Sequence, residues 1–187
     1  MANEIERKYR LSADQKAEML KSLEEIGAAF AGEDFEENIL FSSDELLAKR
    51  AVLRLRRIGA RTILTYKQKI QSDIAAKHHL EHETEVADFD ELAKIFENLG
   101  YRRSLVYEKR RRTWNFRQVE IVLDTLPFGE FMEIEGSLTA IAETEMFLGA
   151  EDYEVVPETY PNLTLKFGTR RGDLIEARFK NSEENLV

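Results

Sequence analysis

The stretch "NEIERKYRL", Asn3 to Leu11, alternates charged with apolar side chains over most of its length. Successive residues of a β-strand point to opposite faces of a sheet, so this alternation predicts a strand. Glu4, Glu6, Lys8 and Arg10 would share one face of that strand, while the other face is mainly apolar. A strand that collects acids and bases on one face needs a fold that accommodates both signs of charge.

Composition narrows the class of protein. Apolar residues make up 43% of the 187 residues, which predicts a globular chain with a real core, and charged residues make up 34%. The formal net charge of -9 argues against a general nucleic-acid-binding surface. Cysteine is absent, which excludes disulfides, thiolate nucleophiles and cysteine-based zinc sites. No apolar run resembles a signal region or a membrane span, so we expect a cytoplasmic protein without a membrane partner.

Alternating stretches recur along the chain and predict about eight strands, with amphipathic helices between some of them. Ser12 followed by Gln15 predicts the start of one helix as a capping box, and Asp88 followed by Glu91 predicts another. We see no linker in the sequence. The interpretation is therefore a single domain, residues 1–187, with a strand core over about 3–136 and helical segments over 137–187.

The charges that share a strand face are sorted by sign. The acidic sets are Glu4 with Glu6, Glu81 with Glu83 and Glu85, Glu120 with Asp124, and Glu133 with Glu135, and the basic sets are Arg54 with Arg56, Lys67 with Lys69, and Lys109 with Arg111. For one strand, a solvated charged face would be the ordinary explanation. The amphipathic helices also need apolar strand faces to cover, however, which would turn the charged faces inward in a closed sheet.

Charges that face inward must be paired with each other or with bound ions. Clustered carboxylates suit a hard divalent cation, above all Mg²⁺ or Mn²⁺. Clustered lysines and arginines suit a polyphosphate, because the arginine fork binds two oxygens and lysine acts as a point charge. A bound metal and the basic residues would together neutralise the negative charge that builds up in phosphoryl transfer, so the pattern is typical of that chemistry on a polyphosphate.

Several motifs, in order along the chain, resemble one family. "EIERKYRL" is similar to the Glu-x-Glu-x-Lys signature of the CYTH superfamily, the triphosphate tunnel metalloenzymes. "AVLRLRR", "LTYKQK", "VYEKRRRTW" and "IVLDTLPFGEFMEIEG" are similar to its later strands. The resemblance implies an α+β, mainly antiparallel β fold, in which an eight-stranded closed β-barrel has a charged lumen and helices packed outside.

The resemblance also implies roles for individual residues. The metal ligands would be Glu4, Glu6, Asp124, Glu133 and Glu135. The triphosphate would be bound by Lys8, Arg54, Arg56, Lys67, Lys109 and Arg111, and the catalytic set would be Glu4, Glu6 and Lys8. The family's fifth strand often has Arg-x-Glu-x-Glu, whereas this chain has "HHLEHETEV" there, so the roles of Glu81, Glu83 and Glu85 stay open.

The first functional hypothesis is a metal-dependent hydrolase of inorganic, nucleoside or thiamine triphosphate. The alternatives are a class IV adenylyl cyclase that forms cyclic AMP and pyrophosphate, and a polyphosphate-binding module without catalysis. His78, His79 and His82 lack a zinc-binding spacing, and we expect structural or surface roles for them. We do not expect nucleic-acid binding by "KRRRTWNFRQ", because alternation sends Arg110 and Arg112 to the opposite face from Lys109 and Arg111. A homodimer stays open.

Overall fold

The computed structural model describes residues 5–69 and 79–180. Glu4 and residues 70–78, which include His78, lie outside the described residues. The described elements, in chain order, are β1 (Ile5–Leu11), α1 (Ala13–Glu25), β2 (Ala29–Ser42), α2 (Asp44–Lys49), β3 (Ala51–Ile58), β4 (Arg61–Lys69), β5 (His79–Val86), α3 (Phe89–Asn98), β6 (Arg102–Phe116), β7 (Val119–Leu126), β8 (Gly129–Gly136), α4 (Leu138–Leu148), α5 (Tyr160–Phe167), β9 (Thr169–Arg171) and β10 (Leu174–Ala177).

The chain divides into two compact units. Among the described residues, the first unit comprises 5–34, 109–159 and 179–180, and the second comprises 35–69, 79–108 and 160–178. The strand order is β1-β8-β7-β6 in the first unit and β6-β2-β3-β4-β5 in the second, since the long strands β2 and β6 run through both. Antiparallel pairing joins β1 to β8, β7 to β8, β6 to β7, β2 to β3, β3 to β4 and β4 to β5. The short strand β10 pairs with β6 in parallel. The α+β, mainly antiparallel fold is therefore confirmed.

The predicted closure of the sheet into a barrel is wrong. Over residues 5–69 and 79–180 the order of paired strands ends at β1 on one side and at β5 on the other. The free edge of β1 is instead hydrogen-bonded to a later segment of the first unit. The backbone N–H of Arg10 donates to the Glu154 carbonyl at 2.9 Å, and that of Val156 donates to the Lys8 carbonyl at 2.8 Å. This edge is thus satisfied without a closing strand.

Helices cover the apolar strand face of the first unit. The capping box that begins α1 is confirmed, because the Ser12 N–H donates to Gln15 Oε1 at 2.8 Å and the Gln15 N–H donates to Ser12 Oγ at 3.1 Å. The apolar stripes of α1 and α4 join one core with the alternate residues of four strands. That core includes Tyr9, Leu11, Met19, Leu23, Trp114, Ile121, Leu123, Met132, Ile134, Ile141 and Leu148.

The second unit has its own core. The side chain of Asp88 accepts the Glu91 N–H at 2.9 Å, so the predicted start of α3 is also confirmed. The core residues of this unit include Ile39, Phe41, Leu46, Leu53, Leu55, Phe89, Ala93 and Val106. In both units the helices therefore pack on the apolar faces, and the residues that alternate with the core residues along each strand point to the opposite face.

Two parts of the chain differ from the sequence-based expectation. The strand β2 extends over Ala29–Ser42, and its first four residues, Ala-Phe-Ala-Gly, carry no alternation of charged with apolar side chains. The last forty residues contain the short strands β9 and β10, joined by a turn at Gly172 with φ of 64°. Within "GTRRGD", Thr169–Arg171 form β9 and Gly172 lies in the turn, and both Arg171 and Gly172 are exposed.

Candidate functional site

The charged face of β1 is partly buried in the first unit. Lys8 is only 7% exposed, whereas Glu6, two residues earlier, is exposed. The Lys8 ammonium lies 3.2 Å from Glu133 Oε1 and 3.6 Å from Glu6 Oε1, and it donates a hydrogen bond of 3.1 Å to the Glu158 carbonyl. Lys8 and Glu133 are direct cross-strand partners, which explains the contact.

Arg111, Asp124 and Glu133 form the centre of the same face. Arg111 binds Asp124 through two hydrogen bonds, of 2.8 Å and 2.6 Å, and its Nη2 also lies 2.5 Å from Glu133 Oε2. Lys109 Nζ lies 3.5 Å from Asp124 Oδ2. Lys109, Asp124 and Glu133 are buried, so this face is not an ordinary solvated one. We call Glu6, Lys8, Lys109, Arg111, Asp124 and Glu133 the first-unit charge cluster.

The charge cluster leaves one carboxylate electrostatically strained. Burial raises the pKa of Glu133 above its ordinary value, and the negative charges of Asp124 and Glu6 raise it further. Arg111 and Lys8 act in the opposite direction but do not cancel these effects. Additional positive charge at this position would therefore be favourable.

Three glutamates form a row at the exposed end of the cluster. Glu6 pairs in register with Glu135, and Glu135 pairs with Glu120 on the next strand. All three residues are exposed. Like charges on neighbouring strands repel each other, and a cation would relieve that repulsion. Within the described residues, however, no three acidic or histidine side chains are already close enough to hold a metal ion by themselves.

The second unit contains the other predicted basic residues. The Nε of Arg56 donates to Asn38 Oδ1 at 3.0 Å and lies 3.6 Å from the buried Glu36 carboxylate. Arg54 Nη2 donates to Thr65 Oγ1 at 3.3 Å. Lys67 is exposed and pairs with Glu81 at 3.0 Å. The structure thus brings Lys8, Lys109 and Arg111 together in one unit and Arg54 and Arg56 together in the other.

The three glutamates of β5 each have a polar partner among the described residues. Glu81 pairs with Lys67, Glu83 accepts a hydrogen bond from Thr65 at 3.0 Å, and Glu85 pairs with Arg61 at 3.2 Å. On the same strand the ring of His82 stacks on Tyr66, with 6.4 Å between centroids. This contact is structural, which agrees with the expectation for His82.

Arg110 and Arg112 lie on the opposite face of β6 from the charge cluster. The guanidinium of Arg112 lies 5.0 Å from the Trp114 ring centroid, and that of Arg110 lies 5.0 Å from the Phe179 centroid. Arg112 also pairs with Glu33 of β2 at 3.5 Å. Both arginine side chains therefore pack against aromatic rings.

Several polar residues at these sites gave no clear signal in the sequence. Glu145 of α4 pairs with Arg7 at 2.6 Å and accepts a hydrogen bond from the buried Tyr9 hydroxyl. Burial and Glu145 raise the pKa of Tyr9 above its ordinary value. Glu36 and Asn38 are buried beside Arg56. Because Glu36 and Asn38 are two residues apart on β2, the sequence could have predicted that they share the charged face. Short polar stretches of this kind are too common to single them out.

Among the described residues, no helix is both long enough and apolar enough to span a membrane.

The model of the CYTH domain matches residues 2–152, so the chain belongs to the CYTH family. A Methanocaldococcus jannaschii protein named "Putative adenylate cyclase" is 26% identical over 147 residues, which cover 77% of this chain and 83% of that protein. The fold is similar to the structure of PH1012 protein from Pyrococcus horikoshii, with a TM-score of 0.70, 26% identity, and coverage of 86% of this chain and 98% of that one.

A third relative carries an activity in its description. HpAC1 from Hippeastrum is described as a "putative adenylyl cyclase" with a dominant triphosphatase activity. It is 15% identical, with a TM-score of 0.64, and the match covers 87% of this chain and 94% of that one. At this identity the likeness concerns the fold alone.

Proposed function

We propose that this protein is a divalent-metal-dependent hydrolase of triphosphate compounds, such as inorganic, nucleoside or thiamine triphosphate. One observation carries the proposal. On the charged face of the first unit's sheet, Lys8, Lys109, Asp124 and Glu133 are buried and Arg111 is partly buried among them. Burying ionisable groups is costly even when they pair with one another, and such a cluster is typical of a ligand site. A metal–polyphosphate complex would supply both signs of charge. Membership in the CYTH family supports the same conclusion.

The basic residues would bind the phosphate oxygens. Lys8 and Lys109 provide point charges, and Arg111 provides a planar fork suited to two oxygens at once. Stabilising the negative charge of the transferred phosphoryl group is the main task in this chemistry. Arg54, Arg56 and Lys67 are proposed as further phosphate-binding residues.

The residues of the first unit fit a divalent cation. The in-register row of Glu6, Glu135 and Glu120 and the raised pKa of Glu133 both indicate a deficit of positive charge. We propose that Glu4, Glu6, Asp124, Glu133 and Glu135 hold Mg²⁺ or Mn²⁺. When bound, the cation neutralises phosphate charge and makes the phosphorus more electrophilic. Lys8, held between Glu6 and Glu133, would orient the terminal phosphate for attack by water.

Cyclisation of ATP to cyclic AMP and pyrophosphate is the second candidate. The observation that favours it is the adenylate cyclase name of the Methanocaldococcus jannaschii relative. Hydrolysis is the first choice because it needs a positioned water only, whereas cyclisation also needs a pocket that orients the nucleoside.

The test is to incubate the protein with tripolyphosphate, ATP or thiamine triphosphate, each with Mg²⁺ or Mn²⁺. We expect phosphate release that depends on the metal and is abolished by EDTA. Cyclic AMP with pyrophosphate would instead identify a cyclase. Tight binding of all three compounds without turnover would identify a binding module. Lys8→Met should lose turnover, while Lys94→Met, which removes an exposed helix lysine paired with Glu91, serves as the matched control.

A further inference from the structure

Three residues on neighbouring strands of the second unit stand in one row. Arg54 of β3 pairs in register with Thr65 of β4, and Thr65 pairs in register with Glu83 of β5. Residues directly opposite each other on antiparallel strands share a face and can touch. Thr65 is 2% exposed, so its hydroxyl lies in the interior between a cation and an acid.

The Thr65 hydroxyl bonds to both neighbours. It accepts a hydrogen bond of 3.3 Å from Arg54 Nη2 and donates one of 3.0 Å to Glu83 Oε2. Glu83 therefore acts on Arg54 through a neutral hydroxyl rather than by direct ion pairing. The side chain of Arg54 is held in place, but its charge is not neutralised by contact.

Arg54 differs in this respect from Arg111. Arg111 contacts two carboxylates directly, whereas Arg54 forms no ion pair with any carboxylate of the described residues. Within the same residues, the buried Nε of Arg54 has no hydrogen-bond acceptor. Burial lowers the pKa of Arg54 and the charge of Arg56 lowers it further, while the buried Tyr107 and the Glu36 carboxylate offset part of this effect. A partly buried cation whose Nε donor has no acceptor among the described residues is suited to an anionic ligand.

We propose that Thr65 is a positioning residue that holds Arg54 ready for a phosphate group before any metal is bound. This inference rests on the proposed function, because it takes a polyphosphate as the ligand. Glu83 supports Thr65 by accepting the hydrogen bond of its hydroxyl. The acids of the first unit need a cation, whereas the Arg54 side chain attracts an anion unaided, so the polyphosphate binds the second unit without metal.

The experiment measures the dissociation constant of tripolyphosphate by calorimetry in EDTA. We expect Thr65→Val to weaken this metal-free binding about tenfold, the loss of one hydrogen bond to a charged group. Thr65→Ser, which keeps the hydroxyl, should restore binding to within about twofold of the wild type. Glu83→Gln should leave affinity unchanged or slightly higher, because it keeps an acceptor for Thr65 and removes a negative charge.

The matched control is Thr62→Val. Thr62 is also buried on β4, but it lies on the opposite face of the strand. Thermal melts of both valine variants report any general loss of stability, which should be similar. Equal affinities of Thr65→Val and Thr62→Val would overturn the inference, as would wild-type protein that binds tripolyphosphate only with metal. If the wild type binds without metal yet never hydrolyses, the inference stands and the proposed hydrolase function fails.

Discussion

Arg111 and Asp124 face each other across β6 and β7 and are joined by two hydrogen bonds, from Nε to Oδ1 at 2.8 Å and from Nη2 to Oδ2 at 2.6 Å. Asp124 is fully buried and also has Lys109 Nζ at 3.5 Å. One carboxylate is thus the shared counter-ion of two cations. Removing a partner from a buried pair costs more than the pair contributes, because the remaining charge is uncompensated.

Asp124→Asn should therefore destabilise the protein strongly. The amide keeps the shape of the side chain but leaves Arg111 and Lys109 without their shared negative charge. We expect the free energy of unfolding to fall by about 3 kcal/mol in urea denaturation. The control is Glu97→Gln, which removes an exposed pair with Arg103 and should cost less than about 1 kcal/mol. Similar losses in both variants would contradict the role given to Asp124.

Glu6→Gln should separate activity from stability. Glu6 is exposed and repels Glu135 across the strand pair, so losing its charge should leave the melting temperature unchanged or slightly raised. If Glu6 binds the metal, metal-dependent turnover should fall by roughly a hundredfold or more. Turnover of tripolyphosphate and a thermal melt on the same preparation measure both effects. A wild-type rate of turnover in Glu6→Gln would contradict the proposed metal site.

Glu37 should make the second unit sensitive to acid. Burial disfavours the Glu37 carboxylate, but hydrogen bonds from Arg57 and Arg178 outweigh burial and hold the pKa of Glu37 below its ordinary value. A carboxylate with a depressed pKa contributes stability that is present above the unfolded-state pKa and is lost as pH falls through the folded-state pKa. Glu37→Gln should thus destabilise the protein most near neutral pH.

The measurement for Glu37 is a series of urea denaturations of both proteins. The difference in unfolding free energy between wild type and Glu37→Gln should shrink as pH falls from about 7 to about 3. Glu91→Gln is a suitable comparison, because Glu91 pairs only with exposed Lys94 among the described ion pairs. A difference for Glu37 that is constant over this pH range would disprove the assignment.

Gly168→Ala should destabilise the C-terminal part of the second unit. A Cβ at this position would lie 2.6 Å from the Thr164 carbonyl oxygen and 2.8 Å from Ile175 Cγ2. Because one of these atoms belongs to the backbone, we expect a loss of about 2 kcal/mol in thermal or urea unfolding. Gly172→Asn is the comparison, since its φ of 64° suits asparagine and its surroundings are open. Equal stability of the two variants would refute this packing argument.

Local patterns were sufficient to predict much of the fold. The capping residues Ser12 and Asp88 begin helices as expected, because a cap depends only on residues within one turn. The alternation in β1 correctly predicted that Lys8 and Tyr9 point to opposite faces of the sheet. The closure of the sheet was not predictable in this way, since it depends on which distant segment reaches the edge of β1, and Glu154–Val156 carries no strand pattern.

The candidate site was also predicted only in part, because alternation gives the face of a strand but not the partner across the sheet. Alternation placed Arg111 and Asp124 on inward faces, and the structure joins them. It gave no indication that Glu145, on a helix, would contact Arg7 and Tyr9 of β1, because a helix acid can face any of several strands. Nor did it show that Thr65 would stand between Arg54 and Glu83, since register across three strands is a tertiary property.

The hydrogen bonds on both edges of β1 bear on how the chain folds during synthesis. One edge pairs with β8, which begins at Gly129, and the other carries Glu154–Val156. During synthesis β1 therefore has no partner for either edge until the chain has been translated past Gly129 and Val156. Residues 35–108 of the second unit are contiguous in the sequence. Such distant pairing slows folding and leaves the edges of β1 exposed to other chains, so β1 is a segment at which chaperone protection would matter.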